Sequence, residues 1–176
     1  METILSKLLA LGVGWVHAVA ITANIAVETN CSFDAAQHQY NNGPGRGLLQ
    51  FEPYPGLGGS LALYGDLAHC KLDSADCQLE WLVDSLTGRY APGTDYIGAG
   101  NVKQFNETTE VAEATRVFSE SILRPGKPHM DRRLEAARDI HESRGRHHCQ
   151  RGDTVGISGA LQAAPVQSVL GWPWWS

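Results

Sequence analysis

The chain has 176 residues, of which 43% are hydrophobic and 19% charged, and its formal net charge is -5 at neutral pH. That length is most economically one domain with a core of its own, and the acidic balance argues against a general nucleic-acid binder. Charge is unevenly placed, because residues 1–123 carry 6 Lys/Arg against 14 Asp/Glu whereas residues 124–151 carry 8 against 4. The plainest reading of the basic stretch is a solvated face of a charged helix.

Thr3 to Leu11 predicts a short amphipathic helix stopped at Gly12, and Trp15 to about Thr29 a central buried helix. Leu8 to Val27 carries no formal charge, which raises the question of a membrane span or export signal. Gly12 and Gly14 interrupt the run and His17, Thr22 and Asn24 lie within it, so the expectation is two helices, no transmembrane span and no signal peptide.

In the second helix Ile21, Ile25 and Glu28 fall at i, i+4 and i+7, so a carboxylate continues the stripe that should face the core. Unless paired or hydrogen-bonded, a desolvated carboxyl is held protonated, which is what a general acid needs. The alternative is that Glu28 turns to water at the helix end.

Residues 30–47 hold the turn signal Asn41-Asn42-Gly43-Pro44-Gly45 and form at best a ragged hairpin. A helix is expected from Ser60, burying Leu61, Tyr64 and Leu67. The clearest amphipathic pattern follows, with Leu79, Leu82, Val83, Leu86 and Tyr90 on one face and Asp73, Ser74 and Asp76 available as caps. Residues 91–105, with Pro92, Gly93, Gly98 and Gly100, read as a loop. From Asn106 a helix with an acidic first turn is expected to bury Val111, Ala114, Val117, Phe118 and Ile122. Arg124-Pro125-Gly126-Lys127-Pro128 breaks the chain, and a last helix from about His129 to Ser143 buries Met130, Leu134, Ala137 and Ile140 or their neighbours.

Residues 150–176 have no usable period and end in Gly171-Trp172-Pro173-Trp174-Trp175-Ser176. An apolar end of that kind marks a docking or membrane-interface surface, and Trp172, Trp174 and Trp175 are expected to dock on a partner chain. The expected division is a domain over 1–149 and a docking tail over 150–176.

Cys31, Cys70, Cys77 and Cys149 contain no C-x-x-C pair. Cys70 with Cys77 and Cys31 with Cys149 are possible bridges, and isolated buried thiols are the alternative. His141, His147, His148 and Cys149 are too poorly spaced for a metal centre, so no metal or cofactor is expected.

Three segments carry a resemblance. ANIAVETNCSFDAAQ (residues 23–37), GRGLLQF (45–51) and RVFSESILRPGKPHMDRRLEAARDI (116–140) resemble the phage tail lysozyme family, virion-associated murein hydrolases of the lysozyme-like superfamily. The shared features are an N-x-x-x-E-S helix ending, a G-L-x-Q-[FW] loop, and a late phenylalanine followed by a Pro-Gly turn and an Arg-Arg helix. The resemblance spans roughly residues 3–142.

The resemblance implies a mainly α, lysozyme-like fold with a minimal or irregular β-hairpin beside the active-site helix. It makes Glu28 the acid that protonates the glycosidic oxygen between N-acetylmuramic acid and N-acetylglucosamine, and Gln50 the loop glutamine lining the saccharide cleft. Thr29 stands where Ser is common, and its hydroxyl can still bind substrate or backbone. Glycosidases commonly pair two carboxylates. Asp34 and Glu52 are the candidates for the second, with turn capping the alternative for Asp34. Tyr40 and Arg46 are candidate sugar or muramyl-carboxylate contacts. Arg132 and Arg133 match the family's basic helix start, or form a surface pair with the acidic body.

The implied partners are bacterial peptidoglycan as substrate and other virion proteins reached through the tail, with no nucleic acid as specific ligand. The implied setting is a phage tail protein made in the host cytoplasm and acting on the host envelope during genome delivery. A lytic transglycosylase, or a catalytically silent adaptor that keeps the fold, stands beside the lysozyme reading.

Overall fold

A computed structural model describes residues 3–39, 42–50, 52 and 57–144 of the chain, without the side chains of 57 and 58. The expected tail, its tryptophans and the boundary near residue 149 lie outside the described residues, as do His147, His148 and Cys149. The fold is mainly helical, as expected. Its helices are α1 (Ile4–Ala10), α2 (Trp15–Glu28), α3 (Leu57–Ala68), α4 (Ala75–Leu86), α5 (Ala91–Ile97), α6 (Ala99–Asn106), α7 (Val111–Val117) and α8 (Met130–Glu142), with a π-helical turn over Phe118–Leu123.

The fold is arranged around α2. Ala18 to Ala26 are all buried, so this helix is enclosed on every side, chiefly by α8 and α7 and also by α1. Its polar residues bond internally or across helices: Thr22 Oγ1 donates to the Ala18 carbonyl at 2.7 Å, and Asn24 Nδ2 donates to the carbonyls of Ala20 (2.9 Å) and Thr115 (3.2 Å). Among the described residues no helix is long and apolar enough to cross a membrane.

α1 opens on a reciprocal cap between Thr3 and Ser6, and Gly12 at φ +87° turns the chain into α2. α4 is capped by Ser74, whose hydroxyl accepts from the Cys77 N–H, and it buries the expected stripe. Cys70 and Cys77 form a disulfide across the α3–α4 connection, and Cys31 is disulfide-bonded as well. Of the residues expected to bury from α3, Leu61 is in the core and Tyr64 packs against it, but Leu67 is 66% exposed. Burial, and then the hydrogen bond from its hydroxyl to Asp84, push Tyr64 up to about 12.

Residues 91–105 are not a loop. They form α5 and α6, separated by the single residue Gly98 at φ +91°. Pro92 sits in the first turn of α5, where its missing N–H costs nothing, and Gly93 allows α5 to lie against Ser85 of α4, since a Cβ there would fall 1.9 Å from Ser85 Oγ. The helix expected from Asn106 starts later, at Val111, because Asn106 ends α6 and bonds the Leu86 carbonyl at 2.9 Å. In α8 the buried residues are Arg133, Ala137 and Ile140, whereas Met130 and Leu134 are half-buried.

Among the described residues the β-structure beside α2 amounts to one antiparallel bridge, His38 with Arg46, flanked by Gln39 N–H to Gly45 O (2.9 Å) and Gly47 N–H to Gln37 O (2.8 Å). So short a ladder does not hold itself. Gln78, buried on α4, supplies the missing anchor: its Oε1 accepts from Leu48 N–H (2.9 Å), and its Nε2 donates to the carbonyls of Ala35 (2.8 Å) and Leu72 (2.6 Å). Gly47, at φ +74°, leaves room for it, because a Cβ there would lie 2.5 Å from Gln78 Oε1.

Gln78→Leu strands one buried N–H and two carbonyls, so urea unfolding should show a loss of about 3 kcal/mol. An unchanged midpoint would mean that the loops hold without the clamp.

Candidate active site

The sequence of α2 places Asn24 and Glu28 one turn apart on the face that meets α8. Arg133 enters from α8 and is 1% exposed. A guanidinium so deeply buried is stable only if its donors are matched and its charge is compensated. Here Nε donates to the Pro128 carbonyl (2.5 Å), Nη1 to Asn24 Oδ1 (2.8 Å) and Nη2 to Glu28 Oε1 (2.5 Å). Arg133 is therefore no surface residue. The expected surface pair divides into this buried member and an exposed Arg132, which reaches Asn30 Oδ1 at 3.3 Å.

Glu28 is thus paired with a buried cation, not left unpaired as a general acid protonated by desolvation requires, and its side chain is 15% exposed. The ion pair occupies Oε1, and no described residue bonds Oε2. Arginine carries no acceptor and engages only Oε1, so Oε2 is the oxygen left to bond a ligand in the cleft.

Two open basins meet at Glu28. One, of about 770 Å³, is walled by Asn30, Ser32, His38, His129 and Arg132 among others, and the second, of about 810 Å³, by Glu52, Tyr96, Arg124 and Lys127 among others. Glu28, Gln39 and Gln50 line both, so the basins form one cleft with the carboxylate at its waist. Several wall residues hold left-handed backbone without being glycine: Asn30 at φ +46°, Gln50 at +52°, Arg124 at +51° and His129 at +46°. Such conformations cost of order 1 kcal/mol each and persist where surrounding contacts impose them. Gln50 is held by its own amide, which donates to the Gly47 carbonyl at 2.8 Å.

The structure brings together Glu28, Thr29, Gln50 and Glu52 from the sequence candidates. Thr29 is buried and its hydroxyl is engaged, donating to the Ile25 carbonyl (2.7 Å) and accepting from Phe33 N–H (3.2 Å). Asp34 lines neither basin. Its carboxylate accepts from Ala36 N–H at 2.9 Å, closing a turn. Arg46 folds back on the carbonyls of Gly43 and Gly45, both at 2.8 Å, away from the cleft lining. Tyr40 lies outside the described residues. No group of three metal-ligating side chains occurs among the described residues.

Sequence reasoning missed Arg133 as the partner of Glu28, Asn24 as the link between them, and Gln78. A signal for the first two was present in the i, i+4 spacing of Asn24 and Glu28. Two polar residues on the buried face of one helix require donors from a neighbour, and the α8 sequence supplies a basic residue at a position that would otherwise be core.

The sequence matches the phage tail lysozyme family over residues 1–143. No curated protein and no solved structure matches the chain significantly.

Arg133→Met leaves Glu28, Asn24 Oδ1 and the Pro128 carbonyl without their donor and should cost about 3–5 kcal/mol in calorimetric unfolding. Glu28→Gln keeps an oxygen for Arg133 but removes the charge that compensates it, so it too should destabilise. An unchanged midpoint in Arg133→Met would show that the arginine does not hold α8 to α2 through this network.

Proposed function

Because the chain belongs to the phage tail lysozyme family, we propose that it cleaves the glycan strands of peptidoglycan at the bond between N-acetylmuramic acid and N-acetylglucosamine, with Glu28 as general acid. The observation that carries this reading is the carboxylate at the waist of a two-armed cleft, one oxygen fixed by Arg133 and the other open to it. A strand lying through both basins brings a glycosidic oxygen to Oε2. Proton transfer from Oε2 to that oxygen breaks the bond to the anomeric carbon, and holding Oε1 orients the carboxyl in advance of reaction. Gln50, shared by both basins, is suited to bond a sugar amide or hydroxyl beside the scissile bond.

Glu52, which lines the second basin, is the candidate for placing the attacking water and taking its proton as the water oxygen bonds the anomeric carbon. Asp34 is engaged in its turn, which favours a second reading in which one glutamate suffices. In that lytic transglycosylase route Glu28 first gives its proton to the leaving oxygen. It then takes the proton of the substrate's own 6-hydroxyl as that oxygen closes on the anomeric carbon.

The family affiliation also supports a place in a virion tail, acting on the host envelope during genome delivery, with the segment from Gln150 onward as the docking tail. Replacing Trp174 and Trp175 with Ser should then reduce incorporation into particles, read by immunoblotting of purified virions, while soluble glycan cleavage persists. Undiminished incorporation would remove the docking role.

The decisive test is digestion of purified peptidoglycan by wild type and Glu28→Gln, with mass spectrometry of the released muropeptides. The expected loss is at least about a hundredfold in rate with the fold retained, the scale of a general-acid contribution. Reducing-end muramic acid identifies hydrolysis, and 1,6-anhydro ends identify transglycosylation. No glycan product from wild type would leave a silent tail adaptor as the function.

A further inference from the structure

The basic part of the chain begins at Arg124, and that residue stands on the cleft wall. The π-helical turn ends on it: its N–H donates to the Ser119 carbonyl at 2.8 Å, and its φ of +51° turns the chain into Pro125-Gly126-Lys127. Its guanidinium lies 5.9 Å from the centroid of the Tyr96 ring, so the half-buried aromatic on α5 supports one face of the cation. Lys127, three residues on, lines the same basin.

The neighbouring cations are already engaged, buried Arg133 with Glu28 and Asn24, and Arg132 on the other basin with Asn30. Arg124 and Lys127 are exposed and form no ion pair among the described residues, and Glu52 on the same basin pairs with neither. On a chain of net charge -5, two uncommitted cations on one arm of an active-site cleft are a local, directed field rather than a general affinity for anionic surfaces.

We propose that Arg124 and Lys127, backed by Tyr96, form an oxyanion-binding arm of the cleft that recognises a negatively charged substituent on the muramyl residue. This rests on the glycan-cleaving reading above. The substituent is either a carboxylate, from the lactyl group or its peptide stem, or a phosphodiester carried on the sugar. A guanidinium stacked on a ring keeps its edge donors available for two parallel bonds to an oxyanion, while the lysine supplies a mobile point charge. Unsubstituted chitin chains offer nothing to this arm, so the enzyme discriminates muramyl glycan from neutral glycan by charge as well as by shape.

The test compares wild type with the Arg124→Gln/Lys127→Gln double variant on three preparations: untreated glycan from sacculi, the same material freed of phosphodiesters by hydrofluoric acid, and material whose carboxylates are neutralised by carbodiimide coupling to ethanolamine. Wild type should lose about tenfold in kcat/KM when the recognised group is removed, and which treatment causes the loss identifies the source. The double variant should show no such dependence. Equal dependence in both proteins, or none in wild type, overturns the proposal.

A second readout needs no turnover. Muramyl dipeptide, which carries a carboxylate, and neutral diacetylchitobiose are titrated into the full chain and followed by NMR. Where the carboxylate is the recognised group, binding of the first should weaken about tenfold in the double variant, and binding of the second should not follow it. If wild type cleaves no glycan yet binds the dipeptide through these cations, the arm stands and the enzymatic reading fails. Dipeptide binding indifferent to the double substitution, together with wild-type turnover indifferent to phosphodiester removal, sinks the arm alone.

Discussion

The structure depends on the burial of one charge. Arg133 is removed from water in the interior between α2 and α8, and its guanidinium is matched donor by donor to Pro128, Asn24 and Glu28. A buried pair of this kind adds little net stability beside an apolar isostere, but removing one partner is expensive. The constraint therefore acts on arrangement: once Arg133 is inside, Asn24 must face it, Glu28 must end its helix there, and α8 must lie across α2. The cleft opens where this network reaches the surface.

The remainder of the site is held at second hand. The loop bearing Gln50 has one β-bridge of its own and borrows its position from Gln78, so the fourth helix sets the height of the cleft wall opposite Glu28. The far wall is set by the π-helical turn, where a wider hydrogen-bond spacing ends on a left-handed Arg124. Three separate parts of the chain thus converge on the cleft, the end of α2 through Arg133, the Gln50 loop through Gln78 and the far wall through the π-helical turn.

Much of this architecture was legible in the sequence where period and caps agree. The enclosed α2, the α4 stripe from Leu79 to Leu86 and the break after Arg124 follow from apolar spacing and from Pro and Gly placement. The stretch 91–105 misled because its glycines and proline serve helices, Pro92 by starting one, Gly93 by letting it approach Ser85, and Gly98 by separating it from the next. Propensity carries no information about close packing, and packing decided here. Arg133 was hidden for a related reason: composition assigns arginine to the surface, and only the partners Asn24 and Glu28, more than a hundred residues earlier, make its burial possible. The basic stretch keeps a solvated face at Arg138 and Arg144, but it also lends Arg124, Lys127 and Arg132 to the cleft and Arg133 to the core.

The span of that network has a bearing on when the cleft can be complete. Asn24 and Glu28 meet Arg133 across 109 and 105 residues of chain. On a ribosome, α2 emerges long before the helix that completes its geometry, and a contact of such long sequence separation is made late. A chain broken off before α8 carries every residue of the Gln50 loop and the glutamate itself, yet lacks the lock that orients them. Assembly of the cleft is thus tied to completion of the domain, and a chain ending before α8 lacks the contact that orients Glu28.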